Sequence, residues 1–404
     1  MERSMAELNE ELYEELLQEI DTMQEEEQEF PPANIIVAGI TGAGKSTLLN
    51  AVFGEELAVT GIGKPQTNEA QSYQSDNVPI RIWDTVGFEM SEDGKRTAET
   101  LNAISEIIAS KSSSRDSFDR IHAIWYCINA SAHRLQATEA DFIAKLTRLG
   151  VPFIIVMTQC FGDDDDEFQQ QIQGILAEKG VEELPIIQVL AKPKTFKSGN
   201  TEPSKGLEEL VNLTVEKMPE YLKTSFIAAQ KVSKVEKHTA AIEAIIDKVR
   251  QAEGGFWEKI PIARVIAANS HITQLLLNIS IIYNATILDK DAIQEICHDS
   301  TSALTKGTLK ELWVQRDSLN DELYSIMCDL EVEESGIDLD DHFKLALVIA
   351  LDGFRFMNAL EELWDESTEA QLQDIDYLVR ELKVRMASGQ SWFTNPQRPQ
   401  LQLT

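Results

Sequence analysis

The chain holds little cysteine, and what it holds is scattered. Cys127, Cys160, Cys297 and Cys328 form no CxxC pair. That spacing excludes a zinc-type ligand set and a disulfide framework, and it suits a reducing, cytoplasmic compartment. The six histidines are dispersed without an HExxH pattern. No run of 18 apolar residues occurs. The most apolar stretches, 272–287 and 343–360, are interrupted by Asn278, Asn284, Lys344, Asp352 and Arg355, so they read as buried helices and not as membrane spans. Basic residues are scarce: 36 Lys and Arg stand against 68 Asp and Glu, a net charge of −32. Such a surface repels nucleic-acid backbones and anionic lipid, which excludes nucleic acid as a general partner and leaves membrane contact peripheral at most. The N-terminus is acidic and resembles neither a secretory signal nor a transit peptide.

What is present is enough for a large core. Of 404 residues 43% are hydrophobic, a length that fits two or three domains. Residues 1–29 predict one acidic amphipathic helix, with Leu8, Leu12, Leu16, Ile20 and Met23 on a stripe that needs an apolar surface. Pro31 and Pro32 end it. Between 33 and 218, short runs rich in Ile and Val alternate with helical stretches: 34–38, 79–83, 121–129, 152–158 and 185–191. Unbroken apolar runs suit strands covered on both faces, so the segment predicts an α/β domain with a mostly parallel sheet flanked by helices. The polar, alternating stretch 69–75 predicts an antiparallel edge strand. The stretch 193–205 reads as a polar loop, and a helix follows from Gly206 to about Met218.

From 219 to 387 the strand signals vanish and apolar residues recur at helical spacing, which predicts an all-α domain; Thr368 and Gln371 form a capping box ahead of its last helix. The remainder, 388–404, reads as a loose tail. The N-terminal helix is expected to dock on this helical domain.

The strongest chemical signal is Gly39-Ile40-Thr41-Gly42-Ala43-Gly44-Lys45-Ser46, which follows an apolar strand and opens a helical stretch, 47–53. Strand, glycine-rich loop and helix in that order make a P-loop. Its glycines let backbone N–H groups turn toward a phosphate, and the N-terminal end of the helix adds positive potential. Lys45 would place a charge on the β- and γ-phosphates, and the Ser46 hydroxyl would take Mg2+. Thr41, Gly42, Ala43, Gly44 and Thr47 complete the phosphate-binding set. Asp84 and Gly87, in the sequence Asp84-Thr85-Val86-Gly87, stand directly after another strand. An aspartate there holds Mg2+ through water, and the glycine lets a backbone N–H reach a γ-phosphate. Thr67, in the loop between these motifs, is placed to close over Mg2+ when a γ-phosphate is bound.

The order P-loop, loop threonine, Asp-x-x-Gly resembles the translation-factor-related GTPases, and within them the Era-like and immunity-related branches. The resemblance covers 33–218. It implies GTP and GDP as ligands with Mg2+, metal contacts through Ser46, Thr67 and Asp84, and catalysis resting on Lys45, Thr67 and Gly87. Two positions depart from the pattern. Where the family reads guanine with [NT]KxD, this chain has Thr158-Gln159-Cys160-Phe161, and the next carboxylates open an acidic run, Asp163–Asp166. A shifted loop would let one of these reach the base; a solvated charge run is the plainer reading. Gln159 would cover the base face with its stem, the Ala191 N–H would meet guanine O6, and the Lys192 stem would cover the ring. ATP stays open as the alternative nucleotide. Phe88 stands where many members place a catalytic glutamine, which points to slow hydrolysis or hydrolysis stimulated by dimerisation or a partner. Arg81 and Arg96 are candidate arginine fingers by proximity in sequence alone.

The segment from Gly206 through Met218-Pro219 to Gln230-Lys231 resembles the junction in bacterial Era-like GTPases that carry a C-terminal helical domain. The reading is therefore a GTP-binding protein whose nucleotide state is read by the helical domain, with a nucleotide-dependent homodimer or a protein effector as partner. A non-hydrolysing nucleotide-gated scaffold and a dynamin-like membrane-associated GTPase are the alternatives.

Overall fold

Five apolar runs and one polar edge strand assemble into a six-stranded sheet. In the computed structural model, strand β1 spans Ala33–Ala38, β2 Gln71–Ser75, β3 Val78–Asp84, β4 Ala123–Asn129, β5 Phe153–Thr158 and β6 Ile186–Val189, in the spatial order β2-β3-β1-β4-β5-β6. All neighbours are parallel except β2, which runs antiparallel to β3 at the edge. The structure describes residues 30–54, 71–75, 78–84, 104–108, 110–111, 120–162, 164–181, 183–253, 261–301 and 341–388.

Helix α1 (Lys45–Phe53) follows β1, α2 (Ala137–Leu146) follows β4, α3 (Asp165–Glu178) follows β5, and α4 (Leu207–Lys217) and α5 (Glu220–Ala229) follow β6. A small hairpin, β7 (Lys194–Thr195) with β8 (Thr201–Glu202), stands where the sequence read only a polar loop. Two two-residue strands joined by Phe196-Lys197-Ser198-Gly199-Asn200 give too little periodicity to be seen in advance.

Strand alternation divides the core into two faces. Ile124, Tyr126 and Ile128 of β4 join Ile36, Ile155, Met157, Phe142, Ile143, Phe168 and Ile172 on one side, under α2 and α3. On the other side Trp125 stacks on Phe53 of α1 at 5.8 Å and meets Phe226 of α5 edge-on at 6.3 Å. Its indole N–H donates to the Thr214 hydroxyl of α4 at 3.2 Å. Helices thus cover both faces, which is why β1, β4 and β5 read as continuous apolar runs: nearly every residue in them is buried.

The first compact unit runs from Phe30 to Lys237, past the boundary expected at Met218. The physical reason is α5: its Phe226, Leu222 and Ala229 are buried and the helix packs on β3 and β1, so it belongs to the sheet. The turn after α5 is knit around a buried glutamine. Gln230 accepts from the Val232 and Ser233 N–H groups at 2.6 and 2.7 Å and donates to the Ser233 carbonyl at 2.9 Å. The Lys231 N–H donates to the Val52 carbonyl at the end of α1, at 2.8 Å.

The second unit holds the described residues from His238 onward. The chain enters it within α6 (Lys234–Glu253) and continues through α7 (Pro261–Ile282), α8 (Lys290–Thr301), α9 (Asp341–Glu366), a single turn Glu369–Leu372, and α10 (Ile375–Ser388). Ile272, Leu275, Leu276 and Ile279 of α7 and Ile349, Phe354, Phe356 and Met357 of α9 are buried. Among the described residues no helix is long and apolar enough to cross a membrane. The region is all-helical where described, as its periodicity predicts. Gly353 of α9 lies against α6 and α7; a Cβ there would come within 2.8 Å of Leu275 and 2.9 Å of Ile245. Half of the expected capping box forms at the turn ahead of α10: Gln371 Oε1 accepts from the Thr368 N–H at 2.9 Å and also from the Thr368 hydroxyl at 2.8 Å, while the Gln371 N–H goes to the Thr368 carbonyl. The acidic helix read over 1–29, the part of the helical stretch from 302 to 340, and the tail from 389 lie outside the described residues.

Candidate functional site

The phosphate loop leaves β1 at the carboxyl edge of the sheet. Its glycines are required by geometry. Gly39 has φ +139°, and a Cβ there would lie 2.4 Å from the Cys127 carbonyl oxygen of β4. Gly44 has φ +83°, and its Cβ would press within 3.2 Å of the Thr158 hydroxyl. A side chain at either position meets backbone strain and a neighbouring strand together. Ala43 N–H donates to the Ile40 carbonyl at 3.1 Å, closing the turn, and Leu48 N–H to Gly44 at 2.9 Å, opening the helix.

Helix α1 starts at Gly44 with no side-chain cap and no acidic residue in its first turn. Its leading amides are thus not taken by a cap, the arrangement that suits an anion. Lys45 folds back over the loop, and its ammonium donates to the carbonyls of Gly39 at 2.9 Å and Ile40 at 3.2 Å. Thr41, Gly42, Ser46 and Thr47 are exposed along the same surface, while Ala43 is buried beneath it. The eight residues of the motif are thus brought together in one turn between β1 and α1.

β3 ends at Asp84, and the parallel register sets Asp84 beside Val37, close to where β1 gives way to the loop. Arg81 does not join the site. Its guanidinium donates to Asn34 Oδ1 at 3.3 Å, at the end of β1 opposite the loop. Thr67, Gly87, Phe88 and Arg96 lie outside the described residues.

The base-side residues gather at the ends of β5 and β6. The Thr158 hydroxyl donates to the Ala43 carbonyl at 2.6 Å and approaches the Ile128 carbonyl at 3.3 Å. Thr158 thereby serves the phosphate loop, a role that its place in the sequence did not reveal. Gln159 follows in the left-handed region at φ +58°. Cys160 is buried; its N–H donates to the Val189 carbonyl at 3.1 Å, and burial pushes its thiol up to about 12, so it carries no thiolate chemistry. Ala191 is partly buried and Lys192 exposed just past β6, where paired backbone hydrogen bonds between Leu190 and Lys205 pin the chain.

The acidic run is largely engaged. Asp165 is buried and accepts from the Gly162 N–H at 2.9 Å; Asp166 accepts from Gln188 at 2.7 Å. Asp164 is exposed, 3.5 Å from His133. Asp163 lies outside the described residues. Phe161 meets Phe196 of the β7–β8 hairpin at 5.9 Å, and the Lys194 ammonium sits 3.6 Å from the centre of the Phe161 ring. Nothing in the sequence signals this pairing, because the two rings come from separate loops. Among the described residues no cluster of His, Cys, Asp and Glu forms a metal site of its own.

Residues 34–159 match the family described as 50S ribosome-binding GTPase. The tRNA modification GTPase MnmE of Paracidovorax citrulli (strain AAC00-1) is 31% identical over 125 residues, 30% of this chain and 24% of that protein. GTPase Der of Jannaschia sp. (strain CCS1) is 37% identical over 73 residues, 18% of this chain and 15% of its own length. The chain therefore spans less than a quarter of either relative. Among solved structures, that of a probable GTP-binding protein engB is 20% identical, covering 46% of this chain and 98% of that one with a TM-score of 0.32.

Proposed function

We propose that the chain, built on a P-loop G domain followed by a helical region, binds GTP and GDP with Mg2+ at the loop 39–47 and hydrolyses GTP to GDP and phosphate. The observation that carries this is the loop itself: Lys45 held over the carbonyls of Gly39 and Ile40, above a helix whose first turn is left uncapped. Lys45 binds the β- and γ-phosphates, and the amides of 42–46 bind the rest of the phosphate chain. Ser46 and Asp84 hold the metal, joined by Thr67 in the triphosphate state. Gly87 presents its N–H to the γ-phosphate. Bound Mg2+ supplies Lewis-acid neutralisation of the phosphate charge. The rate rests on positioning and electrostatics, since the chain places Phe88 where a water-orienting side chain would stand.

In this reading the protein is cytoplasmic, GTP orders the loops around Thr67 and Gly87, and the helical region reads the change. Hydrolysis is slow alone and rises on self-association or with a protein effector. The likeness to MnmE and Der supports the nucleotide and the reaction; their other activities are not carried over.

The test is titration of the purified protein with GTP, GDP and ATP analogues, with and without Mg2+, with phosphate release followed across protein concentration. Lys45→Ala and Ser46→Asn are expected to abolish triphosphate binding. Asp84→Ala should weaken Mg2+-dependent binding more than Mg2+-free GDP binding. Full affinity in both loop variants would sink the site assignment, and binding without turnover would leave a nucleotide-gated scaffold.

A further inference from the structure

We propose that the purine is held by stacking on an aromatic pair, Phe161 with Phe196, flanked by the Lys194 ammonium, and that none of the described carboxylates Asp164, Asp165 and Asp166 reads the guanine N1–H and 2-amino edge. The inference rests on the phosphate site proposed above. It concerns how that site meets the base.

Three observations converge. The first is place. In open α/β sheets, ligands lie outside the carboxyl ends of the strands. Phe161 leaves the carboxyl end of β5, three residues beyond Thr158, whose hydroxyl is bonded to the phosphate loop at Ala43. Cys160, buried and bonded to Val189, clamps the start of that loop between β5 and β6. The hairpin bearing Lys194 and Phe196 opens just after Ala191 and Lys192.

The second is chemistry. Phe196 is 36% exposed on a hairpin braced by the Thr195–Thr201 hydroxyls at 3.0 Å and by Phe196 N–H to Asn200 O at 2.8 Å. Its ring meets Phe161 at an interplanar angle of 67°, with a cation against the other ring. An edge-to-face ring pair beside a cation offers one ring face and a charge to a heteroaromatic base: the ring face supplies stacking, and the ammonium suits acceptors such as O6 and N7.

The third is the fate of the carboxylates. Asp165 is turned inward onto Gly162, and Asp166 is held by Gln188. Asp164 stands beside His133, with 62% of its side chain exposed. Where the acidic reader would stand in a guanine-specific loop, the chain has a phenyl ring, which cannot accept a hydrogen bond from guanine. Stacking is nearly indifferent to the substituent at purine C2, whereas a carboxylate reader is not.

The experiment uses the full chain with Mg2+ and four probes: GTP, ITP (which lacks the 2-amino group), XTP (which carries oxygen there) and inorganic tripolyphosphate. ITP and XTP are expected to bind within about 3-fold of GTP, because no buried acceptor is left unpaired. Phe161→Ala and Phe196→Ala should each weaken all three nucleotides about 10-fold, in line with the loss of one base–aromatic stack. Both should leave tripolyphosphate binding unchanged, which also reports that the fold is intact, and Phe161→Trp should restore the nucleotides. The proposal is overturned if GTP exceeds ITP and XTP by about 30-fold or more. It is also overturned if Asp163→Asn or Asp164→Asn selectively removes GTP binding, or if the two phenylalanine variants bind nucleotides as the parent does. Failure of GTP and tripolyphosphate alike to bind the parent would instead remove the phosphate-site reading beneath it.

Discussion

The Thr158 hydroxyl and the Ala43 carbonyl meet at 2.6 Å across a sequence separation of 115 residues. This bond joins the end of β5 to the centre of the phosphate loop. Thr158→Val keeps the volume and removes the donor, leaving buried carbonyls without it. A loss of about 1–2 kcal/mol is expected in the ordered loop, read as roughly 5- to 30-fold weaker nucleotide binding. The base preference should stay unchanged. Titration of the variant with the same nucleotides measures this; a change confined to one base would show that Thr158 acts on the base instead.

Gly39 sets a harder limit. With φ +139° and a would-be Cβ 2.4 Å from the Cys127 oxygen, Gly39→Ala forces β1 and β4 apart or shifts the loop. A stability loss of about 2–4 kcal/mol is expected, seen as a lower denaturant midpoint of the Phe30–Lys237 unit, together with loss of phosphate binding. A variant as stable as the parent would mean the loop has other room to move.

Asp352 and Arg355 form a buried pair in α9, with Nη1 3.6 Å from Oδ1, and among the described residues neither carboxylate oxygen of Asp352 has a hydrogen-bond donor. Burial pushes the carboxyl up to about 6 against the pull of Arg355. The folded state therefore keeps a proton that the unfolded chain has lost, and stability falls as pH rises from about 4 to 6, with a slope of up to about 1.4 kcal/mol per pH unit. The thermal midpoint of the parent minus that of Asp352→Asn, followed over this window, should decline and then level. A flat difference would show that Asp352 is ionised throughout.

Lys237 gives the opposite sign. It is buried and donates to the Ile227 and Ala228 carbonyls at 3.1 and 3.2 Å, and burial brings its ammonium down to about 7 from 10.5. Above pH 7 the unfolded chain holds the proton that the folded chain releases. Stability relative to Lys237→Met should then rise with pH between about 7 and 10, again by at most about 1.4 kcal/mol per pH unit. No rise between pH 7 and 10 would place a fully charged lysine at this site.

Where the physics is local, the sequence could be read. The strands announced themselves through their Ile and Val runs because helices cover both faces, and the phosphate loop through glycines that no other residue replaces. What stayed hidden depended on partners far away in the chain. Nothing around Thr158 indicates that its hydroxyl serves Ala43, and nothing around Phe161 points to Phe196. The expected boundary at Met218 fell short because α5 looks like any amphipathic helix; only Phe226 against Trp125 and Phe53 reveals that it closes the sheet. For the acidic run, spacing treated its carboxylates as equivalent, whereas packing gives Asp165 to Gly162 and Asp166 to Gln188.

Helix α1 has two ends with different tasks. Its first turn opens from the phosphate loop, and its last turn, through the Val52 carbonyl, holds the Lys231 N–H at the turn that follows α5. The glycine-rich loop and the exit of the chain from α5 are therefore tied to opposite ends of one short helix, so a substitution that shifts α1 along its axis disturbs both at once.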